Sequence, residues 1–98
     1  MDEPGFKLSE AKVTVIGLGL MGGSLALRLK GHCVRLNALD VDEPTLELAR
    51  RMDAVDAAGS DPRAMLADAD MVILACPLAE IVAWLKRLPQ YVEKACVV

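Results

Sequence analysis

The chain has 98 residues, 54% of them hydrophobic but only 3% aromatic, and a formal net charge of -3, which allows a single domain around an aliphatic core. Lysine and arginine are interspersed with acids rather than gathered into a basic stripe, which gives no reason to expect a nucleic-acid partner. The longest uncharged run, Val13 to Leu27, contains glycines and falls short of the roughly 20 apolar residues of a bilayer span, and the start at Met1-Asp2-Glu3-Pro4 lacks the basic region of a signal peptide, so a cytoplasmic protein follows by default.

Residues 1 to 11, with Pro4 and Gly5, read as a leader without an assigned role, and residues 12 to 98 as the domain. Val13 to Ile16 is a short, mostly β-branched run suited to a strand buried on both faces of a parallel sheet. Gly17-x-Gly19-x-x-Gly22 follows at once. In the dinucleotide-binding form of this pattern the first glycine permits the tight turn, the second admits a pyrophosphate, and the third lets the helix pack on the strand. The pyrophosphate would rest on the backbone N–H groups of about Leu20 to Gly22, where the helix dipole favours an anion.

A glycine turn alone carries little information, because such turns also serve structure; its context decides the reading. Leu25, Ala26, Leu27 and Leu29 populate the following helix, which Gly31 can end. Val34 to Leu39 reads as a second strand closing at Asp40, 23 positions after Gly17, where a carboxylate can accept both ribose hydroxyls of an adenosine. His32 and Cys33 fall in the connection at the opposite edge of the sheet. His32 therefore reads as a loop histidine, not a catalytic one.

Asp42-Glu43-Pro44 starts a helix expected to run to Met52, with Leu46, Ala49 and Met52 inward. A short third strand is expected at Ala54-Val55-Asp56. Ser60-Asp61-Pro62 caps a short helix with Met65 and Leu66 inward. Asp68 and Asp70 precede a strand, on the edge away from ligand, and read as a solvated turn. Met71 to Ala75, the most continuous apolar run, reads as a central strand closed by Cys76-Pro77 at the ligand side. Cys76 has no neighbouring base or cation to activate it and reads as an apolar filler beside the cofactor. Ile81, Val82, Leu85 and Leu88 recur at helical spacing, with Trp84 partly covered. Cys96-Val97-Val98 opens a fifth strand that the chain does not complete, so a fragment is expected. Cys33, Cys76 and Cys96 suggest neither a disulfide framework nor a zinc site, so no metal is expected.

These elements predict a Rossmann-type α/β fold, a doubly wound parallel sheet in three layers, α/β/α. The expected cofactor-binding residues are Gly17, Leu18, Gly19, Leu20, Met21, Gly22, Asp40, Ala75, Cys76 and Pro77, with no catalytic residue among residues 1 to 98. NAD is expected over NADP, because Val41, Asp42 and Glu43 follow Asp40 where an NADP site usually places an arginine. Arg35, or a residue from the missing part, could still reach the site.

Gly-Leu-Gly-Leu-Met-Gly-Gly-Ser-Leu-Ala, positions 17 to 26, resembles the opening of the prephenate and arogenate dehydrogenases, which commonly have Ile at the position of Met21. The resemblance continues through Asp40, Thr45 to Ala49, Ala54 to Asp56, Ala69 to Pro77 and Val97-Val98. Departures are small: Met21, Cys76 where Val is common, and a polar Asn37 inside the second strand. The resemblance implies an NAD-dependent oxidoreductase of tyrosine biosynthesis that oxidatively decarboxylates prephenate or arogenate. It also implies a later histidine and a helical domain, absent from residues 1 to 98, that supply the chemistry and the interface of a homodimer. A β-hydroxyacid dehydrogenase cofactor domain, and a non-catalytic nucleotide-sensing module of the same fold, are the alternative readings.

Overall fold

The computed structural model describes residues 7–92 and 96–97. A parallel five-stranded sheet has the order β3-β2-β1-β4-β5, with β1 at Lys12–Ile16, β2 at Arg35–Leu39, β3 at Ala57–Gly59, β4 at Met71–Leu74 and β5 at Cys96–Val97. Helices α1 (Leu20–Leu29), α2 (Glu43–Arg51), α3 (Pro62–Met65) and α4 (Leu78–Arg87) alternate with the strands. The order reverses between β1 and β4, whose register pairs Val15 with Ile73 and Ile16 with Leu74.

Period-two alternation divides the core between the two faces of this sheet. Val13 and Val15 of β1 and Leu36 and Ala38 of β2 pack with Ala26 of α1 and with Leu46 and Ala49 of α2. Ile16, Leu39 and Val72 face the other way, with Leu66 and Leu88. Right-handed crossovers require this division, because strands added on opposite sides of β1 send their helices to opposite faces. Burying Leu36, Leu46 and Leu66 almost completely contributes about 1.5–3 kcal/mol each. Two polar side chains also lie inside, on one acceptor. Thr14 Oγ1 donates to the Met65 carbonyl at 2.7 Å and Asn37 Nδ2 donates to it at 3.3 Å. The single turn of α3 thus ends with its last carbonyl satisfied by β1 and β2, which accounts for Asn37 inside a strand.

The structure corrects several expectations. The third strand lies at Ala57–Gly59, not at 54–56. Ala54 closes the end of α2 by donating its N–H to the Ala49 carbonyl. The Asp56 carboxylate takes the Leu36 N–H at 2.7 Å, so the ladder proper starts only beyond it. Met52 was expected inward but is 52% exposed, on the rim of an apolar groove between α1 and α2 that Leu27 and Leu48 also line. On α4 the inward residues are Ile81 and Trp84, continuing to Leu88; Val82 and Leu85 are 47% and 51% exposed. A helix turns about 100° per residue, which puts 81, 84 and 88 on one narrow stripe and leaves 78, 82 and 85 on its flank. Val34 precedes β2 instead of opening it. Val98 lies outside the described residues.

Candidate dinucleotide-binding site

β1 carries its ladder past its own end. Gly17 N–H donates to the Leu39 carbonyl at 2.9 Å, and Ala75 N–H donates to the Ile16 carbonyl at 2.8 Å, so the glycine turn begins wedged between the ends of β2 and β4. The three glycines of the motif meet different constraints. Gly17 has φ +94°, and a Cβ there would stand 2.7 Å from the Ala75 carbonyl oxygen; the turn requires glycine for conformation and for space. At Gly22 a Cβ would fall 1.9 Å from the Gly17 carbonyl oxygen and 3.3 Å from the Ala75 methyl, because the first turn of α1 packs there on the glycine turn and the end of β4. Gly19 differs from both. It has φ -54° and ψ -167°, and a Cβ would meet nothing within 4 Å. The protein leaves open the space above Gly19.

Helix caps separate the same edge into two kinds. Asp42 caps α2 by accepting the Thr45 N–H at 3.2 Å, and its carboxylate also accepts the Thr45 hydroxyl. Asp61 caps α3 by accepting the Arg63 N–H at 3.1 Å. The N-termini of α1 and α4 begin at Gly19 and Pro77 and carry no side-chain cap. These are the helices that follow β1 and β4, at the strand-order reversal where open α/β sheets receive ligands. Their first N–H groups and dipoles are left to an anion from outside.

Asp40 stands at the end of β2, beside the turn. Its Oδ2 accepts the Leu18 N–H at 2.8 Å and its Oδ1 accepts the Asp42 N–H at 3.0 Å. Each oxygen retains a second lone pair, and Asp40 lines a groove of about 220 Å³ with Gly17, Val41, Cys76, Trp84 and Arg87. The predicted residues Gly17, Leu18, Gly19, Gly22, Asp40, Ala75, Cys76 and Pro77 therefore gather at one edge of the sheet, and the backbone of Leu20 and Met21 forms the first turn of α1. Burial pushes the Cys76 thiol up from its ordinary range, with Glu80 and Asp40 adding to the shift, which disfavours the thiolate.

Sequence reasoning missed the outer wall of that groove. Arg87 lies over the Trp84 ring, 4.2 Å from its centroid, a contact that the three-residue spacing on a helix signals. Arg35, by contrast, sits at the start of β2, where its Nε donates to Asn37 Oδ1 at 3.1 Å. Five steps of extended chain, roughly 16 Å, separate it from Asp40. His32 is exposed at the far edge, as expected. Asp70 is less idle than a solvated turn suggests, because its carboxylate accepts the Lys12 N–H at 2.9 Å. Among the described residues no cluster of metal-ligating side chains occurs, and no helix is long and apolar enough to cross a membrane.

A glycine turn leading into an uncapped helix, at the reversal of a parallel 3-2-1-4-5 sheet, defines an α/β domain of the Rossmann class. Residues 24–98 match the family model described as prephenate dehydrogenase, nucleotide-binding domain. The chain belongs to this family. Arogenate dehydrogenase of Synechocystis is 35% identical at a TM-score of 0.76, covering 88% of this chain and 31% of that one. Prephenate dehydrogenase of Aquifex aeolicus, solved with hydroxyphenyl propionate and NAD+, superposes at a TM-score of 0.79 over 94% of this chain and 34% of its own, at 24% identity. An imine reductase of Myxococcus stipitatus, also solved with NAD+, shares the fold at a TM-score of 0.65 and 17% identity, over 80% of this chain and 26% of its own. The chain thus spans about a third of the length of the dehydrogenases it matches.

Proposed function

We propose that this chain is the NAD-binding portion of a prephenate or arogenate dehydrogenase, holding the hydride acceptor for oxidative decarboxylation of the substrate. The observation that carries the reading is Gly19. The residue capping α1 has no side chain, the first possible side-chain atom would meet nothing within 4 Å, and the helix behind it has no cap of its own. A pyrophosphate fits that description, since it needs close backbone approach and unspent N–H donors. When bound, NAD supplies the nicotinamide that takes the hydride. This chain's own residues bind and orient it: the opening of α1 receives the pyrophosphate, Asp40 accepts the ribose hydroxyls, and the backbone from Ala75 to Pro77 borders the dinucleotide. Substrate chemistry and the dimer interface belong to the remainder of the longer family members.

The same residues favour NAD over NADP. A 2′-phosphate at Asp40 would meet a carboxylate followed by Asp42 and Glu43, Arg35 lies at the wrong end of β2, and Arg87, in the groove wall, is stacked on Trp84. Ribose hydroxyls donate to the carboxylate instead, each such bond contributing about 1.5–3 kcal/mol. Calorimetric titration with NAD and NADP at equal ionic strength should find NAD bound at least about tenfold more tightly. Equal affinities would overturn the role of Asp40 as ribose reader.

A further inference from the structure

Asp40 makes two contacts for which a ribose reader has no need. Leu18, the residue between the first two glycines of the turn, donates its N–H to Asp40 Oδ2 at 2.8 Å across 22 residues of sequence. On the other side, the N–H of Asp42 reaches Oδ1 at 3.0 Å. One carboxylate therefore joins the loop after β1 to the loop after β2. The loop after β1 has reason to need such a tie. Gly17 and Gly19 bracket Leu18, and glycine gives up more conformational freedom on folding than any other residue. The Leu18 side chain anchors one end of this residue in the core beneath α1 and α2, and its N–H is the other end.

We propose that Asp40 is a positioning residue that clasps the glycine turn through Leu18 N–H and so holds the opening of α1 in its anion-receiving shape, whether or not a ribose is present. The idea rests on the dinucleotide reading and deepens it. A charged acceptor makes the bond a strong one. The Leu18 N–H is committed to the protein, so the phosphate-facing donors are those that follow Gly19. The unused lone pair on each Asp40 oxygen lets the ribose hydroxyls be accepted without breaking the clasp.

The test compares the parent with Asp40→Ala and Asp40→Asn, using ADP, 2′,3′-dideoxy-ADP and amide hydrogen exchange in the absence of nucleotide. A clasp predicts that Asp40→Ala weakens dideoxy-ADP by about tenfold although that ligand has no hydroxyl to read. It further predicts faster exchange at the Leu18 amide while the amides of α2 and β4 keep their protection. Asp40→Asn should fall between, because its amide oxygen can still accept the Leu18 N–H. If Asp40→Ala weakens ADP but leaves dideoxy-ADP unchanged, Asp40 reads the ribose only and the clasp is wrong. If the parent binds neither nucleotide, the dinucleotide reading fails, and the Leu18 exchange rate still decides the clasp: a rate indifferent to Asp40 overturns it, a rate raised by the substitution supports it.

Discussion

Gly22 and Gly19, three residues apart, answer the same substitution in opposite ways. A methyl at Gly22 would press on the backbone carbonyl of Gly17 at 1.9 Å, which cannot yield cheaply. Gly22→Ala should cost at least about 2 kcal/mol through overpacking, read as a fall in thermal denaturation midpoint; an unchanged midpoint would mean that α1 does not sit against the Gly17 carbonyl as described. The local geometry at the three glycines, a tight turn, open space and close packing, was legible in the sequence from their spacing. The Asp40 bond to Leu18 was not, since a hydrogen bond across 22 residues depends on β1 and β2 being neighbours in register.

Helices were legible where the sequence carries an explicit signal. Asp42-Glu43-Pro44 announces α2, and the structure starts the helix at Glu43 with Asp42 as its cap. Asp42→Ala should therefore destabilise the chain by about 1 kcal/mol, roughly 4–8 °C in midpoint for a domain of this size, and a variant as stable as the parent would show the cap to be idle. Fine placement was less legible. Ala54 and Val55 are buried as strand residues would be, but they fill the space behind the end of α2 instead of pairing. Val82, Leu85 and Met52 belong to apolar stripes wider than the surfaces that the sheet offers, and hydrophobic periodicity gives the direction of a stripe, not its width.

At the scale of the molecule, alternating strands and helices already fix a parallel sheet with right-handed crossovers. The reversal between β1 and β4 then brings the glycine turn, the Cys76-Pro77 bend and the uncapped openings of α1 and α4 to one edge, while Asp40 closes that edge from β2. The groove wall at Trp84 and Arg87 stayed illegible because it depends on how far α4 leans over the sheet. On the proposed function this edge receives a dinucleotide at Gly19. The most direct test of that reading is calorimetric titration of NAD into the parent and into Gly19→Ala, with circular dichroism on both. The space around Gly19 accommodates a methyl without contact, so the two spectra should coincide while affinity for NAD falls at least about tenfold, the equivalent of roughly 1.4 kcal/mol. An unaltered affinity in a correctly folded Gly19→Ala chain would show that the turn is structural only and overturn the dinucleotide reading.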